Sequence, residues 1–384
     1  MGFKGYARPD GSVGVRNHVV IMSSVSCANG VVNAIAREGA PVKAITHTEG
    51  CGRGLTDLGI TTRTMTGLAR NPNVAAVLFV GLGCEYIKAP RLAENLSETG
   101  KPVEYLVIQE KGGSKKTTAA GVKIAKKFLQ DAASIRREEV GWDKLTVGLE
   151  CGGSDAMSGV TANPLVGATA DWLVGEGATV ILSETTEMIG TTHVLARRAA
   201  SPEVADKIRT MIDNQHKLAQ QWLGPFANTA ISPGNMDGGL SSIQEKSLGC
   251  IIKGGTTEIN EVIEYGASPT KKGLVIMDGP GSDIFNLTGL AASGVTITIF
   301  TTGRGTPAGF PIVPVIKIAT NTKLFDSMND DMDLNAGRII EGVSIESLSR
   351  ELNALLKQVA EGKKPKAEKN LQDILSIHTV GPSF

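Results

Sequence analysis

The densest chemistry in the chain lies at residues 150–164, where Glu150-Cys151-Gly152-Gly153-Ser154-Asp155 runs on through Ser158, Thr161 and Asn163 to Pro164. A turn needs one glycine and one Asn or Asp; this loop holds a thiol, two carboxylates, hydroxyls and an amide besides. The apolar run 145–149 before it reads as a short buried strand, and residues 165–173 after it as the start of a helix. A polar loop between a strand and a helix lies where parallel sheets bind their ligands, so this stretch is expected at the centre of an active site.

Other residues offer chemistry of the same kind. Cys27, Cys51, Cys84, Cys151 and Cys250 are odd in number, widely spread and free of any CxxC pair. Such a set builds neither a zinc ribbon nor a disulfide framework. Cys51, Cys84 and Cys151 each follow an expected strand beside glycine or a carboxylate. Three thiolates so placed are able to hold an iron–sulfur cluster with one open iron, while the plainer reading is buried, inert thiols. His47 and His193 stand at strand or loop ends, and Glu85, Asp155, Glu184 and Glu187 supply oxygen nearby in the pattern. Imidazole with carboxylate suits Fe(II) or Mn(II). Arg304, flanked by Gly303 and Gly305, reads as a two-point clamp for a carboxylate or phosphate. The glycines around it miss the dinucleotide spacing, and Pro307 would interrupt the helix that motif needs. No GxxxxGK[ST] and no GxSxG occurs, which removes P-loop nucleotide sites and nucleophile-elbow hydrolases.

The elements that must position these residues alternate. Strands are expected at 19–25, 42–46, 74–80 and 103–108, separated by helices near 28–37, 61–69 and 115–131. A charged stretch, 132–144, reads as a link. Beyond it strands are expected at 145–149, 178–182, 273–277, 295–300 and 315–319, with long helices at 202–222 and 345–359. This is an α/β chain of two Rossmann-like units, 1–140 and 141–384, with mainly parallel sheets flanked by helices.

Composition narrows the partners. Lys+Arg and Asp+Glu balance at 39 each and aromatics are 4%. That disfavours nucleic-acid binding by bulk charge or by stacking platforms. No apolar run reaches the roughly 18 residues of a membrane span, and residues 1–8 lack the apolar core of a signal peptide. A cytoplasmic, non-membrane enzyme with free thiols, assembled as a homo-oligomer, is the expectation.

Against this background the order of motifs is informative. The chain carries Gly5-Tyr6-x-Arg8, Arg16-Asn17, His47-Thr48-x-Gly50-Cys51-Gly52, Asn71-Pro72-Asn73 and Gly81-Leu82-Gly83-Cys84-Glu85. It continues with Cys151-Gly152-Gly153-Ser154-Asp155, Ser183-Glu184-Thr185, Ser232-Pro233-Gly234-Asn235, Glu245-Lys246, Lys253-Gly254-Gly255, Thr301-Thr302-Gly303-Arg304-Gly305 and Asn335-Ala336-Gly337. In these stretches, over essentially its whole length, it resembles the altronate/galactarate dehydratase family of sugar-acid dehydratases.

The resemblance implies iron(II)-dependent removal of water from a hexonate or hexarate, giving a 2-keto-3-deoxy acid. Mn(II) or an iron–sulfur cluster is the alternative cofactor. On that resemblance His47, Cys51, Cys84, Glu85 and Cys151 are expected around the metal. His193, Asp155 and Glu184 are expected in catalysis. Arg16, Asn17, Ser154, Asn163, Asn235 and Arg304 are expected on the substrate. Dehydratases of this kind carry a small N-terminal domain before the Gly-Tyr-x-Arg segment, so the expectation is either a separate small subunit as partner or a stand-alone or truncated form. Two other readings stand beside it. One is a carbon–sulfur lyase like the sulfolactate sulfo-lyase branch, which the intact Gly-Cys-Glu and His-Thr-x-Gly-Cys-Gly patterns disfavour. The other is a binding subunit that kept the pocket without the chemistry.

Overall fold

The computed structural model describes residues 2–39, 41–229 and 231–384. Phe3–Ala7 (β1) and Val13–Gly14 (β2) open the chain as an antiparallel pair. His18–Ser23 (β3), Lys43–Ile45 (β4), Val74–Gly81 (β5) and Val103–Val107 (β6) then form a four-stranded parallel sheet in the order β4-β3-β5-β6. All eight residues of β5 are buried, as expected for a strand covered by helices on both faces.

Residues 132–144 are more than a link. Glu138–Val140 (β7) pairs antiparallel with β1, closing a small three-stranded sheet in the order β2-β1-β7. Charged side chains hid this strand because both its glutamates face water.

The larger sheet has seven strands, all parallel: Thr146–Cys151 (β8), Thr179–Leu182 (β9), Ile259–Ile263 (β10), Gly273–Met277 (β11), Ile297–Thr302 (β12), Val315–Ala319 (β13) and Leu334–Asn335 (β14). Their order is β10-β11-β9-β8-β12-β13-β14. β8 therefore lies in the middle. The expected α/β class with mainly parallel sheets is what the structure has; β10 and β14 escaped the sequence reading, being short or partly polar.

The two sheets share one core. Val20, Met22 and Phe79 of the first pack in one cluster with Ile181, Val275 and Phe300 of the second. Asparagines stitch the seam. Asn71 Nδ2 donates to the carbonyls of Ala291 and Val295, and Asn73 Nδ2 to those of Thr296 and Ile312, at 2.7–2.9 Å. The C-terminal segment crosses the same seam. His378 packs its ring on Tyr265 and Phe285, and the amides of Val380 and Gly381 donate to the Asp57 carboxylate.

Candidate active site

Each parallel sheet has a point where the chain reverses its direction of winding. In the larger sheet it lies between β8 and β12, because β9 to β11 build one side and β12 to β14 the other. The crevice outside such a pair is where open α/β sheets take ligands. The loop after β8 fills it. Gly152 N–H donates to Thr301 O at 3.1 Å, and the amides of Gly303 and Arg304 donate to Gly153 O at 3.1 and 2.7 Å. Asp155 fastens the far side, accepting from Ser158 Oγ (2.9 Å), Thr320 Oγ1 (2.9 Å) and Asn321 Nδ2 (3.1 Å). Gly303 has to be glycine here: a Cβ on it would lie 2.1 Å from Asp155 Cγ.

Beneath the loop, Cys151, Glu184, Glu187 and Cys250 bring four ligand atoms within 4.8 Å of one another, and all four residues are buried. Cys151 Sγ lies 2.9 Å from Glu187 Oε2, 3.6 Å from Cys250 Sγ and 3.8 Å from Glu184 Oε1. Each carboxylate gives its other oxygen to a lysine. Lys253 Nζ donates to Glu184 Oε2 at 2.6 Å, and Lys246 Nζ pairs with Glu187 Oε1 at 2.5 Å. The Cys151 amide also donates to Glu184 Oε2, at 3.0 Å. Glu184 stands at φ 73 and ψ 62, one of two non-glycine residues with positive φ among those described. A left-handed glutamate is strained, and strain of this kind is held in place at functional sites.

The sequence folds this way for local reasons. β8 and β9 end side by side, so Cys151 and Ser183-Glu184 emerge together. Ser242 caps the helix Ile243–Ile251, which carries Lys246 and Cys250 and turns at Lys253-Gly254-Gly255 to aim Lys253 inward. Burial pushes Glu184 up to about 7, with the charge of Glu187 adding to it. Glu187 suffers the same burial, yet the Lys246 ammonium keeps it below the usual carboxylate range. Burial and the neighbouring Cys250 hold the Cys151 thiol well above its ordinary value. At neutral pH the cluster is a Glu187 carboxylate and a Glu184 carboxyl near half-protonation, each paired with a lysine, facing two protonated thiols.

The expected site residues divide. Cys151 and Glu184 are in the cluster. Asn235 borders it, donating Nδ2 to Ser154 O (2.9 Å) and accepting from Lys246 Nζ at 3.3 Å. Ser154 is buried and its hydroxyl has no hydrogen-bond partner among the described residues. Asn163 is spent on Gly249 O and Thr301 Oγ1, and Asp155 on the loop itself. Arg304 is exposed at the crevice rim beside Gly153. His193 is exposed on the short helix Thr192–Leu195, and no hydrogen bond or ion pair ties it to the cluster.

The metal set expected around His47 is not what the structure assembles with Cys151. His47 uses both ring nitrogens, Nε2 on Ser23 O (2.8 Å) and Nδ1 on the Glu49 amide (3.1 Å), so neither is open to an ion. Glu85 holds its own loop, accepting from Ser24 Oγ at 3.0 Å and from the Gly83 amide at 2.6 Å. Cys51 and Cys84 are exposed at the edge of the smaller sheet, with Cys27. Arg16 and Asn17 are framework residues too. Arg16 grips Glu368 and the carbonyls of Val15, Val359 and Lys363, and Asn17 bridges Arg8 and Ala132 O.

Glu187, offered by the sequence as an oxygen ligand, completes the cluster with Lys246, Cys250 and Lys253, which were not expected to act. The signal was there for the lysines: Lys253 follows the apolar Cys250-Ile251-Ile252, where a charge is out of place unless it is paired.

Comparison with known proteins now bears on the geometry. Residues 5–133 match the family described as D-galactarate dehydratase/Altronate hydrolase, second domain, and residues 142–383 that described as D-galactarate/Altronate dehydratase, C-terminal. Altronate dehydratase of Bacillus subtilis is 37% identical over 99% of this chain and 78% of its own length. Galactarate dehydratase (L-threo-forming) of Escherichia coli is 38% identical over 98% of this chain and 75% of its own. The (2R)-sulfolactate sulfo-lyase subunit beta of Chromohalobacter salexigens is 32% identical over 95% and 94%. The chain belongs to the D-galactarate/altronate dehydratase family and is an enzyme of the hydro-lyase class that this family defines. Among the described residues no helix is long and apolar enough to cross a membrane.

Proposed function

We propose that this chain removes water from a sugar acid such as altronate or galactarate, giving a 2-keto-3-deoxy acid, at the crevice between β8 and β12. The observation that carries the reading is the cluster itself. Two carboxylates, each with one oxygen held by a lysine and one facing a thiol, lie buried beneath a loop whose Ser154 hydroxyl is unpartnered. Dehydration needs a base for the C2 proton and an acid for the departing C3 hydroxyl, and Glu184 with Lys253 and Glu187 with Lys246 are two proton-exchanging pairs. The Lys246 side chain is 13% exposed where that of Lys253 is 0%, which makes Lys246 the member that meets the substrate. Arg304 and Ser154 would orient the acid's carboxylate and hydroxyls.

The donor set fits iron(II). A tetrahedral ion with bonds of about 2.3 Å to sulfur sets two thiolates about 3.8 Å apart, and Cys151 Sγ and Cys250 Sγ already stand 3.6 Å apart. Loss of two thiol protons to a divalent ion leaves the lysine-balanced cluster neutral, and thiolates favour iron over the harder Mn(II). Cys151 and Cys250 would hold the ion, with the lysine-paired Glu184 and Glu187 facing it and a position left open to the substrate. Bound there, iron(II) would supply Lewis-acid stabilisation of negative charge developing on the sugar acid.

Anaerobic assay of a panel of aldonates and aldarates for 2-keto acid tests the reading. Keto acid from one sugar acid supports it; none from any, with iron loaded and a candidate small subunit added, sinks it. A second reading rests on the likeness to the sulfo-lyase subunit beta, which is 32% identical over 95% of this chain. Sulfite released from sulfolactate would establish carbon–sulfur cleavage instead, and the word subunit in that relative's name supports a separate small partner here.

A further inference from the structure

On the opposite face of the same strands lies a second polar group that the mechanism above leaves unused. β8, β12 and β13 are neighbours, and their register sets Glu150 beside Phe300 and Phe300 beside Lys317. Side chains directly across adjacent strands share a face, so Glu150 and Lys317 flank the Phe300 ring. The alternate residues, Leu149, Ile299, Ile316 and Ile318, belong to the core on the other face. Glu150 and Lys317 are both 0% exposed.

Among the described residues neither is fully hydrogen-bonded. Lys317 Nζ has no hydrogen-bond partner and sits over the Phe300 ring, 3.3 Å from its centre. Glu150 has one oxygen held by Asn286 Nδ2 and leaves Oε1 without a partner. A buried lysine nitrogen without a hydrogen bond and a buried carboxyl with one free oxygen each cost free energy that an aliphatic side chain of similar size would avoid. Folding alone gives no reason to keep either.

The surroundings lead outward. Asp283, the first residue of the helix Asp283–Ala292, is half-buried and is the charge acting most strongly on Lys317. It lies against Gly152, where a Cβ would come 2.3 Å from Asp283 Oδ2. Lys317 and Glu150 therefore lie behind Asp283, which packs under the same loop that covers the thiol cluster.

We propose that Lys317 Nζ and Glu150 Oε1 form a binding subsite for the hydroxy-carboxylate end of the substrate. A carboxylate oxygen would accept from Lys317 and a hydroxyl would donate to Glu150, with Asn286 fixing Glu150 and the close Asp283–Gly152 contact parting to admit them. This rests on the sugar-acid reading above. It adds a recognition point on the β8–β12–β13 row, separate from the Cys151 cluster. Burial lowers Lys317 to about 7, so its charged form is disfavoured until an anionic partner is supplied.

The experiment compares the wild-type chain with Lys317→Met and Glu150→Gln by thermal melting, with and without altronate, galactarate and a panel of C4 to C6 hydroxy acids. A subsite predicts that Lys317→Met melts higher than wild type without ligand and loses the ligand-induced rise. Glu150→Gln, which can keep its bond to Asn286, should bind about tenfold more weakly. A Lys317→Met protein that melts lower, or keeps the full ligand-induced rise, overturns the subsite and leaves bridging water as the role of the pair. A rise in wild type without turnover sinks the dehydratase reading alone. No rise with any acid sinks the subsite.

Discussion

The molecule contains two switch points, and they have been put to different use. In the smaller sheet it lies between β3 and β5, where Ser24 N–H reaches Val80 O and Ser24 Oγ reaches Glu85. Its carboxylate and histidine are consumed in holding loops, and its three thiols stand in solvent. In the larger sheet, between β8 and β12, the loops are held by backbone amides and by Asp155, which leaves Cys151, Glu184 and Glu187 free to face one another. Both edges carry thiols and carboxylates, and they differ in where those groups spend their hydrogen bonds.

The largest effect should come from exchanging equivalent carboxylates. Glu184→Gln keeps an oxygen for Lys253 but removes a proton-exchanging group, and turnover should fall by about 10²–10⁴-fold. Glu85→Gln should lower the melting temperature and leave turnover per folded molecule within a few-fold. Equal losses of turnover in both variants would erase the distinction between the edges. Next comes Arg16→Ala, which removes the grip on Glu368 and three carbonyls. Denaturant unfolding should show a loss of about 2–3 kcal/mol, with an unchanged KM; a raised KM would return Arg16 to the substrate. Gly303→Ala forces a Cβ toward Asp155 and should cost about 1–3 kcal/mol in the same measurement.

The last expected effect is a slope with pH. Lys317 is lowered to about 7 by burial, against the opposing charges of Asp283, Glu150, Asp333 and Asp331. Between that value and the ordinary lysine range the unfolded chain binds more protons than the folded one, so this residue's contribution to stability rises with pH across that window and is flat below it. Melting temperatures from pH 7 to 10 should climb less steeply in Lys317→Met than in wild type. Parallel curves would mean that the lysine does not titrate there.

The alternation of the chain made both parallel sheets legible, because strands such as 74–80 are apolar throughout and are followed by clustered polar residues. The loop at 150–155 could be found for the same reason. Its partners could not. Cys250, Lys246 and Lys253 come from a helix and its final turn about a hundred residues downstream, and only the packing of that segment against the end of β9 brings them in. Likewise His47 and Glu85 read as ligands from their types, and nothing in their spacing showed that the Glu49 amide, Ser23 O, Ser24 and the Gly83 amide had already claimed them. Lys317, a lysine inside Val315-Ile316-Lys317-Ile318-Ala319, was a signal that went unused. A charge in a strand buried on both faces calls for an explanation.

Iron and acid-labile sulfide in anaerobically purified protein test the central claim most directly, comparing wild type with Cys151→Ser/Cys250→Ser and with Cys27→Ser/Cys51→Ser/Cys84→Ser. If the reaction centre lies between β8 and β12, iron is present without sulfide, is lost in the double variant and stays in the triple one. Sulfide that disappears with Cys27, Cys51 and Cys84 would contradict this and move the metal to the smaller sheet.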